Sequence, residues 1–102
     1  MDLEEVSLTL RDQAKRLAAK VPTAKWYLFG SVVRRVPLPS DIDVVIVFSN
    51  ASDARELREG LGSYSESVPL HLLLLLQDEE NELQFVRDQR AIRIFPEEVS
   101  KR

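Results

Sequence analysis

The residues best placed to do chemistry in this chain are two carboxylates, Asp41 and Asp43, and the pair Gly30-Ser31 upstream of them. Asp41-Ile42-Asp43 opens the β-branched run Val44-Val45-Ile46-Val47. Side chains alternate along a strand, so two acids two residues apart point to the same face. No cation stands beside them in the sequence, and a divalent cation would relieve their repulsion. Mg²⁺ prefers oxygen ligands and typically takes one or two carboxylates, with the rest from substrate phosphates and water. Gly30 lets the backbone approach a ligand closely. Ser31 adds a hydroxyl, and a helical turn after it would aim backbone N–H groups at an anion. Arg34 and Arg35 lie in the same loop and can balance phosphate charge, although they read equally well as solvated loop charges. One side of such a pocket holds a metal and the other a polyphosphate, which is the equipment for phosphoryl or nucleotidyl transfer.

For this chemistry the two short motifs must meet. Lys25 to Phe29 reads as a short aromatic strand that ends at Gly30, and Ile42 to Phe48 reads as a central strand, apolar on both faces. The link between them is too short for a parallel crossover, so an antiparallel pair is expected, with Gly30-Ser31 next to Asp41-Ile42-Asp43. Pro37 and Pro39 keep the link from extending any helix. Upstream, Leu3, Val6, Leu10, Ala14, Leu17 and Val21 recur at steps of three and four, which predicts an amphipathic helix stopped by Pro22. Downstream, a helix is expected over Asp53 to Leu61, capped by Asp53, with Leu57 and Leu61 on one face. A third strand follows over Val68 to Leu76. A helix over Asp78 to Asp88 should turn Leu83 and Val86 inward, and its opening acids suit the helix dipole. A short strand over Ala91 to Phe95 is stopped by Pro96, and a polar tail runs from Glu97 to Arg102. Trp26 and Tyr27 should face opposite sides of the sheet. The fold class is therefore α/β (α+β), a small mixed sheet flanked by helices, in one domain over residues 1–102.

Composition narrows the function. The chain has 102 residues, 44% of them apolar, and a net charge of −3. That balance argues against general nucleic-acid binding, which needs a basic surface, but leaves room for a local anion site. With no cysteine, thiolate catalysis, disulfides and cysteine–zinc sites are excluded. The N-terminus is acidic, and no apolar run exceeds the length of Leu72 to Leu76, which is far too short to span a bilayer. A soluble, cytoplasmic protein is expected. A small sheet with an available edge also makes association plausible, as a homodimer or with another protein.

Phe29-Gly30-Ser31, nine intervening residues, then Asp41-Ile42-Asp43 and Val44-Val45-Ile46-Val47 resemble the core motif of the DNA polymerase β-like nucleotidyltransferase superfamily. The small size and Ser40-Asp41-Ile42-Asp43 resemble its minimal nucleotidyltransferases, often found as antitoxins beside a HEPN-domain toxin. The resemblance implies that Gly30 and Ser31 contact a nucleoside triphosphate, ATP in the first instance. It implies that Asp41 and Asp43 bind Mg²⁺ or Mn²⁺, and that the acceptor is a hydroxyl, such as one on a HEPN-type partner. Two features depart from the family pattern. His71 stands where a third carboxylate is expected, and Arg35-Val36 occupies a region where many active relatives carry a second glycine. His71 can serve as a general base, whereas imidazole suits softer metals better than Mg²⁺. Two readings remain: a transferase with Asp41, Asp43 and His71 as catalytic residues, or a catalytically degenerate module acting as a protein-binding antitoxin or regulatory subunit.

Overall fold

The computed structural model describes residues 3–34 and 41–96. Arg35, Val36, Pro37, Pro39, Ser40 and the tail from Glu97 to Arg102 lie outside the described residues. The first helix, α1 (Leu3–Leu17), carries Glu4 and Glu5 in its first turn and Lys15 and Arg16 in its last, as the helix dipole favours. It ends one turn before the predicted stop at Pro22. Strand β1 (Lys25–Phe29) runs into a 3-10 turn over Gly30–Val32, and β2 covers Ile42–Phe48. Helices α2 (Asp53–Gly60) and α3 (Gly62–Ser67) lead to β3 (Leu70–Leu76). Helices α4 (Gln77–Leu83) and α5 (Phe85–Asp88) lead to β4 (Ile92–Phe95).

The four strands form one mixed sheet in the order β3-β2-β1-β4. As expected, β1 and β2 are antiparallel, with Phe29 opposite Asp43. β2 and β3 are parallel, with Asp43 opposite His71, because the crossover through α2 and α3 is long enough to return the chain to the same end. β4 pairs antiparallel with the free side of β1. The burial follows from the pleat. Val6, Leu10, Ala14 and Leu17 of α1, with Leu57 and Leu61, pack on Trp26, Leu28, Ile42, Val44 and Ile46 from one face of the sheet. Phe29, Val45 and Leu75 form a smaller cluster on the opposite face, where Tyr27, Leu73, Phe85 and Val86 join them. Trp26 and Tyr27 thus take opposite faces, and β2 is buried on both sides.

Several local expectations need correction. The single helix predicted over Asp78 to Asp88 is two, broken at Gln84, which sits in the left-handed region with φ 55°. The break turns Leu83 outward, leaving it 57% exposed, while Val86 still reaches the core. Asp53 is the first residue of α2 rather than its cap; Ser52 precedes it and makes no side-chain capping bond. The segment Gly62–Ser67, between the expected helix and the expected strand, is helical. The third strand begins at Leu70 rather than Val68, whose extended backbone ends α3.

Candidate active site

The site forms where β1 ends and β2 begins. Gly30 follows the last residue of β1 and has φ +76°, a backbone conformation that side chains disfavour. Its carbonyl accepts hydrogen bonds from the N–H groups of Val33 and Arg34, at 3.2 and 3.1 Å, which close the turn. The predicted helical turn after Gly30-Ser31 therefore forms. The space a Cβ would take at Gly30 is filled by the Asp43 carboxylate: such an atom would fall on Oδ2 and lie 3.0 Å from Cγ. By its type and position this glycine is expected to admit a ligand close to the backbone. In the structure its bareness first of all seats an acid.

Asp43 is held from a second side. Its Oδ1 lies 3.0 Å from Nδ1 of His71, its register partner on β3. The Asp43 side chain is 19% exposed and that of His71 is 69% exposed, so the carboxylate is sunk between Gly30 and an imidazole at the rim. The ring nitrogen Nδ1 donates when it carries the proton, which leaves Nε2 as a free acceptor towards solvent. Asp41 lies one residue ahead of β2 and is exposed. The Ile42 N–H, bonded to the Pro69 carbonyl at 2.8 Å, fixes that strand entrance. Ser31 is half-buried in the 3-10 turn and Arg34 is exposed just beyond it.

Of the residues singled out from sequence, Gly30, Asp43 and His71 are brought into contact, and Ser31, Arg34 and Asp41 flank them. Among the described residues, no three His, Asp or Glu side chains converge on one point. The donors present are thus two carboxylates on one strand end, which fits a hard cation that takes its remaining ligands from phosphate and water. Two further residues escaped the sequence reading. Phe85 packs edge-on against Phe29, with ring centroids 5.0 Å apart and planes at 89°, and so braces the residue preceding Gly30. Only the break at Gln84 aims Phe85 there, and no sequence pattern announced it. Arg93 stands opposite Tyr27 in the β1–β4 register. Its Nε is buried and, among the described residues, unpaired; the alternation Ile92-Arg93-Ile94 was its available signal.

The model of the nucleotidyltransferase domain family matches residues 10–100, which includes every residue of this site. The chain belongs to that family. A crystal structure assigned, provisionally, as a nucleotidyltransferase superposes with a TM-score of 0.54 at 25% identity. The match covers 83% of this chain and 96% of that one. No curated protein gives a significant match. The general chemistry of the family is nucleotidyl transfer, and its members generally use a nucleoside triphosphate and a divalent metal. The four-stranded mixed sheet flanked by helices is the arrangement shared with the solved relative. Among the described residues, no helix is long and apolar enough to cross a membrane.

Proposed function

We propose that this domain transfers a nucleoside monophosphate, AMP from Mg-ATP, to a hydroxyl on a partner protein. The observation that carries the reading is Asp43 seated between the bare backbone of Gly30 and the Nδ1 of His71. Asp41 and Asp43 would hold Mg²⁺ or Mn²⁺, which when bound supplies charge neutralisation for the triphosphate. The N–H groups and hydroxyl at Gly30-Ser31 would orient the phosphates, with Arg34 balancing their charge. Asp43 fixes the imidazole through Nδ1. That leaves Nε2 to take the proton of the acceptor hydroxyl, a geometry that suits a general base. A HEPN-type toxin is the partner suggested by the resemblance carried by the Ser40-Asp41-Ile42-Asp43 motif. The intracellular setting of such a pair agrees with a chain free of cysteine.

The test is transfer of the α-phosphate label of ATP to a co-expressed partner in the presence of Mg²⁺ or Mn²⁺. Label should appear with the wild-type chain and vanish with Asp43→Ala. Absence of transfer to every partner that co-purifies, with no pyrophosphate released, would sink the transferase reading. One observation favours a second reading: His71 occupies the place of a third acid, and no cluster of three ligands forms among the described residues. In that reading the domain neutralises its partner by binding alone. The Asp41→Ala/Asp43→Ala chain should then still neutralise, and its failure to do so while folded would count against a purely binding role.

A further inference from the structure

Among the described residues, the leucine-rich strand β3 is an outer strand of the sheet with no strand on its far side, and that edge has a self-matching pattern. In the parallel ladder with β2, the Ile42 N–H bonds the Pro69 carbonyl, and the register pairs Ile42 with Leu70 and Val44 with Leu72. That phase turns the N–H and C=O groups of residues 69, 71, 73 and 75 towards β2. It turns those of Leu70, Leu72 and Leu74 outward. The open stretch is closed at both ends. The N–H of Val68, the next outward position before Leu70, is bonded to the Tyr64 carbonyl at 3.2 Å, and the N–H of Leu76 is already bonded to Glu79 Oε1 at 2.8 Å. What remains is three outward residues, symmetric about Leu72 and all leucine.

We propose that this edge pairs with the same edge of a second copy of the chain. The two strands run antiparallel across a two-fold axis at Leu72, joining the two sheets into one of eight strands. In this register Leu72 faces Leu72 of the partner subunit, and Leu70 faces Leu74 of the partner subunit. Every outward N–H and C=O from 70 to 74 is then bonded. A shift by two residues leaves one end unpaired. The side chains agree with the backbone. Leu70, Leu72 and Leu74 are only partly buried in the monomer, on the α1 face, and each would meet another leucine. The devices that normally blunt an edge, a lysine, a bulge or an inward charge, are missing between Leu70 and Leu74. A strand edge calls for another strand. A copy of this one supplies the right length, the right phase and the same apolar side chains. The pairing sets His71 beside Leu73 of the partner subunit, so the rim of the candidate site lies next to the interface. The proposal stands independently of the nature of the transferred group.

The experiment uses the whole chain. Sedimentation equilibrium should give twice the 11.7 kDa of one chain as concentration rises. The natural sequence has no cysteine, so an introduced one reports the register. Directly opposed residues of an antiparallel pair sit about 5.5 Å apart between Cα atoms, within disulfide reach. Leu72→Cys should therefore form a covalent dimer on mild oxidation. Leu74→Cys alone should not, since its copies would be separated by roughly 13 Å along the strands. An equal mixture of Leu70→Cys and Leu74→Cys chains should give the mixed dimer, and this carries the test if Leu72→Cys fails to fold. A chain that stays monomeric to millimolar concentration overturns the proposal. So does a dimer in which Leu74→Cys cross-links to itself or the mixture does not cross-link.

Discussion

Replacing Gly30 by alanine tests the central feature of the site, because two separable penalties meet there. The first is conformational. At φ +76° an alanine sits in the left-handed region at a cost of about 1–2 kcal/mol, offset by the ~0.4–1 kcal/mol that the stiffer unfolded chain returns. The second is steric. The new methyl would land on Asp43 Oδ2, with Cγ at 3.0 Å and Cβ at 3.3 Å, and the carboxylate cannot swing freely while Oδ1 is bonded to His71. Overpacking of this kind costs roughly 1–3 kcal/mol. The net loss should be about 2 kcal/mol, or on the order of 10 °C in melting temperature for a chain of this length. The assay is chemical and thermal unfolding of Gly30→Ala, Asp43→Ala and the double variant. Removing the carboxylate should relieve the steric part but not the conformational part, giving a coupling of about 1–2 kcal/mol between the two sites. A coupling below about 0.5 kcal/mol would refute the packing of Asp43 into the space at Gly30. In parallel, calorimetric titration with Mg-ATP should show weaker binding by Gly30→Ala, since the displaced carboxylate is a proposed metal ligand.

Four further expectations follow from the structure. Asp41→Asn and Asp43→Asn should each weaken Mg-ATP binding at least tenfold, about 1.4 kcal/mol, in titration calorimetry; tight binding by both would remove the metal role from this strand end. His71→Gln should lower any transfer rate while changing stability by under about 1 kcal/mol, because the His71 side chain is 69% exposed and such pairs contribute little. His71→Asp should instead place a second carboxylate beside Asp43, so its melting temperature should rise more on adding Mg²⁺ than that of the wild type; an equal rise would argue against a cation at this point. Trp26→Ala, at a fully buried position of β1, should destabilise by about 3–5 kcal/mol in denaturant unfolding.

Much of this arrangement was legible in the chain, and what was not has physical causes. Ile42 to Phe48 announced a central strand because every residue after Asp43 is apolar, and only burial on both faces explains such a run. The short link fixed the antiparallel pairing that brings Gly30 beside Asp43. The break in the helix after β3 is hidden in the sequence because a helix's signal is periodic apolarity, and the left-handed residue Gln84 resets that period without being a glycine or asparagine. One break therefore exposed Leu83 and aimed Phe85 at Phe29. The leucine run of β3 was ambiguous for another reason. A strand at the sheet's margin with one face on each core cluster is apolar throughout, just as a buried helix would be. Its lone histidine looked out of place in that run. It becomes intelligible only with the parallel register, which sets His71 opposite Asp43. A position that reads as a departure from a three-carboxylate pattern is then a residue that holds one carboxylate in place. Such a site orients Asp43 without repelling it. Its geometry is set by a hydrogen bond rather than by a cation offsetting like charges, whereas a further carboxylate in the place of His71 would disfavour the charged form of its neighbour.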